Sequence, residues 1–131
     1  MEGIDTNVLI RFLVKDDLQQ YQQALSLFIG MPKVYLSPIV LLVETVWGLS
    51  HFYQVKRLRQ CEILKAFICQ QGVVTDDRQA VIAALDDYEQ GYDFADAMIG
   101  HYNLSHQCKK TWTFDRKASR LPAFSLIQPD H

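Results

Sequence analysis

Cysteine is scarce in this chain, and the cysteines present do not suggest pairs. Cys61, Cys69 and Cys108 make an odd count of three with no C-x-x-C spacing. That excludes a disulfide framework as the basis of the fold and leaves free thiols of a reducing compartment as the expected state. Zinc held by Cys108 and His106 would need two more ligands at suitable spacing, and the sequence offers none. His51, His101 and His131 are scattered and suit surface or core positions better than catalysis. Long apolar runs are missing as well. None reaches the ~18 residues that span a bilayer, so no membrane association is expected. The opening Met1-Glu2-Gly3-Ile4-Asp5 has neither the basic region nor the apolar stretch of a secretion signal, and the cytoplasm is the expected location. There is no internal repeat, no low-complexity tract and no linker rich in Pro, Gly or Ser. The four prolines, Pro32, Pro38, Pro122 and Pro129, stand at element boundaries.

A large excess of one charge is also lacking: 13 Lys+Arg face 15 Asp+Glu, for a net −2. What is present is a chain of 131 residues, 49% hydrophobic and 21% charged. That length and composition fit one globular domain over residues 1–131, able to bury roughly two thirds of its unfolded surface without staples. The charges are unevenly spread. Residues 76–96 carry seven acids against one base, Arg78, for a net −6, and residues 109–120 carry five bases (Lys109, Lys110, Arg116, Lys117, Arg120) against one acid, Asp115, for a net +4. Such neighbouring stretches suit a cation and a polyanion bound side by side, and equally suit two solvated helix faces.

Hydropathy patterning predicts alternating strands and helices. Residues 1–4 read as a short strand and 8–14 as a short buried helix. Residues 18–29 have a helical apolar period in Leu18, Tyr21, Ala24, Leu25 and Phe28. Residues 34–36 form a strand, and Ser37-Pro38 is a helix start with Ser37 as cap and proline in the first turn. That helix is expected to run to about residue 53. A further helix over 57–70 turns Leu58, Cys61, Leu64, Ala66 and Ile68 inward. A strand begins at Val73-Val74, and Thr75-Asp76 caps a helix to about residue 90. Residues 92–102 read as helix with Phe94, Ala95, Met98 and Ile99 inward, and 111–114 and 124–127 as strands. Trp47, Trp112 and Phe114 are expected in the core. This order predicts an α/β fold, a central parallel sheet between helical layers, in which ligands bind beyond the carboxyl ends of the strands.

That rule singles out particular acids. Asp5 follows the first strand and Asp115 the strand at 111–114. Glu44 lies in the helix after the second strand, among Leu41, Leu42, Val43 and Val46. Asp96 sits in the first turn of the 92–102 helix among Phe94, Ala95, Ala97 and Met98, with Asp93 three residues earlier on nearly the same side. A carboxylate in apolar surroundings is costly without compensation, and clustered carboxylates without matching bases suit a hard, hydrated cation such as Mg²⁺, or Mn²⁺. Ordinary roles fit the same residues one at a time: helix caps for Asp5 and Asp93, a dipole contact for Asp96, an edge-of-core position for Glu44, a turn start for Asp115. Both readings stand open on the residues alone. Thr6 and Asn7 are placed to orient Asp5, and Thr113 to bond a carboxylate or a water.

Four segments carry a resemblance. Gly3-Ile4-Asp5-Thr6-Asn7-Val8-Leu9-Ile10, Val43-Glu44-Thr45-Val46-Trp47, Asp93-Phe94-Ala95-Asp96-Ala97-Met98-Ile99 and Thr113-Phe114-Asp115-Arg116 together resemble the ordered signature of the PIN domain, and more narrowly the VapC-type toxins of type II toxin–antitoxin systems. The resemblance implies an α/β/α sandwich and a metal-dependent endoribonuclease. It maps the acidic quartet onto Asp5, Glu44, Asp96 and Asp115, adds Asp93 as a neighbouring acid and gives Asn7 and Thr113 supporting places. It implies a homodimer and a VapB-like antitoxin whose tail covers the site, with promoter DNA contacted only through that complex. It suggests RNA products with 5′-phosphate and 3′-hydroxyl ends. Glu2, in place of an apolar residue, and Gly100-His101-Tyr102, in place of a run of small residues, depart from the pattern.

The chemistry expected is hydrolysis of RNA by a metal-activated water, with Lys109, Lys110, Arg116 and Lys117 holding backbone phosphates. The alternative is a catalytically inert PIN-like binding module, a reading that the retained quartet speaks against. A phosphatase using Asp5 as nucleophile would want a second aspartate where Asn7 stands.

Overall fold

In the computed structural model, short parallel strands alternate with helices over residues 1–128, the residues the structure describes; Pro129 and His131, both singled out in the sequence, lie outside them. The chain forms two compact units, residues 1–78 and 79–131.

In the first unit, β1 (Glu2–Gly3), β2 (Val34–Leu36) and β3 (Val73–Thr75) form a sheet in the order β1-β2-β3. Both pairings are parallel, with Glu2 opposite Val34 and Val34 opposite Val73. Parallel neighbours need crossovers. These are α1 (Thr6–Val14) with α2 (Leu18–Gly30), then α3 (Val43–His51) with α4 (Arg57–Ile68). Glu2 is exposed on the edge strand β1, which explains why a charge is tolerated there. Phe12, Phe28 and Phe67 form a mutual cluster with ring centroids 4.9 to 5.6 Å apart, joining α1, α2 and α4. Lys15, left-handed at φ 62°, ends α1. There Arg11 donates to both carboxylate oxygens of Asp16 at 3.0 Å and to the Tyr53 hydroxyl. Gly72, at φ +91°, leads into β3. A Cβ there would lie 2.8 Å from the Pro32 carbonyl oxygen, so only glycine fits.

The second unit holds α5 (Arg78–Glu89, whose first residue ends the first unit), α6 (Phe94–Ser105), β4 (Thr111–Thr113) and β5 (Phe124–Leu126). β4 and β5 pair in parallel, Thr111 opposite Phe124. Tyr88 and Phe94 meet edge to face at 5.8 Å, tying α5 to α6. His101 on α6 meets the Asp87 carboxylate at 2.6 Å. Its neighbour Gly100 has a packing reason to be glycine: a Cβ would lie 2.5 Å from Phe124 Cε2 and 3.2 Å from Ala123 Cβ. Phe124 is a buried, stiff aromatic side chain. Gly100→Ala is therefore expected to lower the free energy of unfolding by about 1–3 kcal/mol through overpacking. Urea denaturation would show this as a lower midpoint with the slope unchanged.

The mixed helix and strand content with parallel strands is the α/β class expected from the sequence. Several local expectations are corrected. The helix after β2 begins as a π-helical turn, Pro38–Leu42, and the Ser37 side chain makes no capping bond; the Ser37 carbonyl accepts from the Leu41 N–H instead. Thr75 caps nothing, because it belongs to β3 and its hydroxyl donates to the Leu36 carbonyl across the sheet. In α4, Leu58 is exposed and Phe67 takes an inward place. In α6, Ile99 faces outward. Trp47, Trp112 and Phe114 are not in the core: they are 53%, 58% and 80% exposed. Cys61 is buried and Cys69 and Cys108 are exposed, all as free thiols. No helix among the described residues is long and apolar enough to cross a membrane.

Candidate active site

The parallel sheet of the first unit sends Asp5 off the carboxyl end of β1 and the segment carrying Glu44 off the end of β2. Asp5 is the N-cap of α1. Its backbone is extended, and its Oδ1 accepts from the Val8 N–H at 3.1 Å. The cap explains why a helix starts directly after a two-residue strand: Asp5 satisfies an N–H that the first turn leaves unpaired. Glu44 lies in the first turn of α3 and is exposed, not enclosed by the apolar residues beside it in sequence. Thr6 does not orient Asp5; its hydroxyl donates to Glu44 Oε1 at 3.2 Å. That bond spans 38 residues and brings the start of α1 beside the start of α3. Asn7 and Glu44 then border one hollow, walled further by Thr6, Trp47 and Tyr53.

In the second unit, Asp93, Asp96 and Asp115 line one small cleft of about 50 Å³ together with Tyr92, Lys117 and Leu121. Asp93 N-caps α6, its Oδ2 accepting from the Asp96 N–H at 2.9 Å. That bond fixes the turn in which Asp96 projects. Asp115 follows β4, where the Thr113 hydroxyl oxygen accepts from its N–H at 3.0 Å, and its own Oδ1 accepts from the Ala118 N–H at 2.9 Å. Thr113 thus serves the backbone of Asp115 rather than a carboxylate. Asp5, Asp93 and Asp115 all use one carboxylate oxygen on local backbone, so the ordinary capping and turn roles are real for each of them. Each carboxylate still has lone pairs to spare for a further partner.

Asp96 is different. Burial raises its pKa above the usual carboxylate range, and the negative charges of Asp93 and then Asp115 push it further in the same direction. A helix N-terminus favours a carboxylate's charge, so desolvation and the two like charges outweigh the dipole here. A half-buried anion crowded by two others is an arrangement that a bound cation relieves. Among the described residues, no three or more His, Cys, Asp or Glu side chains are grouped closely enough to hold a metal ion by themselves. The donor set still fits a hard divalent ion: such an ion keeps several waters and takes only one or two carboxylates. All the donors are oxygens, and the cleft has room for little more than an ion or a water.

Lys117, grouped in the sequence with the phosphate-holding bases, lines the acid cleft itself. Its position two residues after Asp115, inside the turn that Asp115 caps, is the signal that would have placed it there. Lys109, Lys110, Arg116 and Arg120 are exposed.

No curated protein and no solved structure gives a significant match to the chain. PIN domains are in general nucleases that use divalent metal ions. The sequence model of the PIN domain matches residues 4–123, which include Asp5, Glu44, Asp93, Asp96 and Asp115, and the chain belongs to the PIN domain family.

Proposed function

We propose that this PIN domain is a metal-dependent endoribonuclease and the toxic component of a VapC-type type II toxin–antitoxin pair. The observation that carries the nuclease reading is Asp96: a carboxylate held in a cleft by its own helix cap, with its pKa raised by burial and by Asp93 and Asp115. Asp96 and Asp115 would hold Mg²⁺ or Mn²⁺ from the second unit, with Asp93 adding charge beside them, and Asp5 and Glu44 would serve from the first. A bound ion of this kind makes water more acidic and offsets charge on a phosphoryl group. The chain's own residues do the rest. The caps at Asp5 and Asp93 and the turn at Asp115 fix the carboxylates before substrate arrives. Thr6 holds Glu44 in place. Lys117 brings a positive charge to the acid cleft, where it favours a phosphate. Lys109, Lys110 and Arg116 hold neighbouring phosphates, contacts that position RNA without reading its sequence.

In this reading the whole chain, residues 1–131, works as one PIN domain in the cytoplasm. It forms a homodimer, is silenced by a VapB-like antitoxin and meets promoter DNA only through that partner.

The test is to incubate purified protein with total cellular RNA in Mg²⁺, in Mn²⁺ and in EDTA, and to map the cut ends. Discrete fragments with 5′-phosphate and 3′-hydroxyl ends are expected with metal and none with EDTA. Cleavage undiminished by EDTA would remove the metal role. Intact RNA in all three conditions would leave a PIN fold used for binding alone.

A further inference from the structure

We propose that Trp112 and Phe114 form a platform on which two unpaired nucleobases stack beside Asp115, with Lys109, Lys110 and Arg116 on the phosphates between and around them. This deepens the ribonuclease reading and rests on it for the identity of the polymer.

Trp112 and Phe114 are 58% and 80% exposed. They alternate with Thr111 and Thr113, which are half-buried. Trp112 lies within β4 and Phe114 directly follows its last residue, and both rings are open to solvent. Single exposed apolar residues need no explanation, but two large exposed rings two residues apart do. The surroundings say what covers them. Residues 109–120 carry five bases against one acid, and Lys109, Lys110, Arg116 and Lys117 are all exposed. The Lys110 ammonium lies over the Trp112 ring, 4.2 Å from its centroid. Cations beside exposed aromatic rings answer to the two parts of a nucleotide, phosphate and base.

The exposed rings narrow the occupant to an unpaired strand, whose base faces are free to stack on aromatic side chains. A duplex hides its base faces and offers this surface only phosphates. Phe114 immediately precedes Asp115, so a strand lying on the platform is led to the acid cleft that Asp115 lines.

Binding of fluorescein-labelled oligoadenylate, followed by anisotropy in EDTA so that the strand is not cut, tests this directly. Trp112→Ala and Phe114→Ala are each expected to weaken binding about tenfold, with larger loss in the double variant. Trp112→Phe keeps most of the affinity. Lys109→Gln with Lys110→Gln weakens binding and flattens its dependence on salt. An RNA duplex is expected to bind weakly and to be insensitive to loss of either ring. Both rings are on the surface, so the variants fold, and far-UV circular dichroism checks that. Parent-like affinity in the double Ala variant overturns the proposal, as does an equal loss for duplex and single strand. A double variant that dissociates into monomers in sedimentation while binding oligoadenylate normally makes the face a self-association surface and also overturns it. Failure of the two readings is separable. Parent protein that binds oligoadenylate through Trp112 but never cuts RNA in Mn²⁺ leaves the platform and removes the ribonuclease. Parent protein that cuts, with a double variant that binds as well as it does, removes the platform alone.

Discussion

Asp96→Asn is expected to reduce RNA cleavage by on the order of a hundredfold or more, and in the same protein to raise thermal stability when divalent metal is withheld. The first effect follows from the proposed function, in which Asp96 holds the ion that offsets charge on the phosphate. The second follows from the direction of its pKa. Burial, then Asp93, then Asp115 raise the folded-state value above the ordinary 3.8. The folded state therefore holds this proton more tightly than the unfolded chain does. Stability from this group is fully present below the ordinary carboxylate range and is lost as pH rises through the raised value. At neutral pH the metal-free protein carries the whole burden. Asparagine keeps the shape and removes the charge, so Tm in EDTA should rise, and the gain should vanish in acid. Mn²⁺ should narrow the gap, because a ligand that binds only the folded parent stabilises it by mass action. Calorimetry of parent and variant at pH 7 and pH 3, with Mn²⁺ and with EDTA, reads every arm. A variant that is less stable than the parent in EDTA would mean that Asp96 is a structural anion and not one waiting for a cation.

The sequence makes the helices around these acids plain, and it is less informative about what lies between them. Residues 18–29 and 92–102 have apolar residues at helical spacing, and α2 and α6 lie there, although Leu18 and Ile99 are exposed. Asp93 before Phe94 is a local cap, readable because its partner, the Asp96 N–H, is three residues away. Local spacing points Thr6 at Asp5, whereas its hydroxyl donates to Glu44, 38 residues on. A sequence rule based on neighbours has no access to that partner. Thr75 fails in the same way, since its hydroxyl finds the Leu36 carbonyl across the sheet. The aromatics failed differently. Large rings belong in cores on average, and a three-residue strand is too short for its alternation to show which face is open. Only tertiary packing reveals that Trp112 and Phe114 look outward.

Asp5→Asn and Asp5→Ala are expected to share one large loss and to differ in one small one. Asp5 caps α1, its Oδ1 accepting from the Val8 N–H at 3.1 Å, and under the proposed function its charge also takes part in the chemistry. Asparagine caps a helix as well as aspartate does, through the same kind of oxygen, whereas alanine gives up the cap at about 1 kcal/mol. Both variants should therefore lose cleavage by on the order of a hundredfold or more, while urea denaturation finds only the alanine variant measurably weaker. The difference matters because a lost activity in Asp5→Ala alone has two explanations: a missing ligand or a frayed α1. Thr6 and Asn7 stand in that first turn, and the Thr6 hydroxyl donates to Glu44, so fraying would also disturb Glu44, the other first-unit acid of the proposed function. Asp5→Asn removes that ambiguity, since its helix start is intact and only the negative charge has gone. An Asp5→Asn protein that still cuts RNA at the parent rate would reduce Asp5 to a helix cap, and the charge at the end of β1 would then have no part in the chemistry.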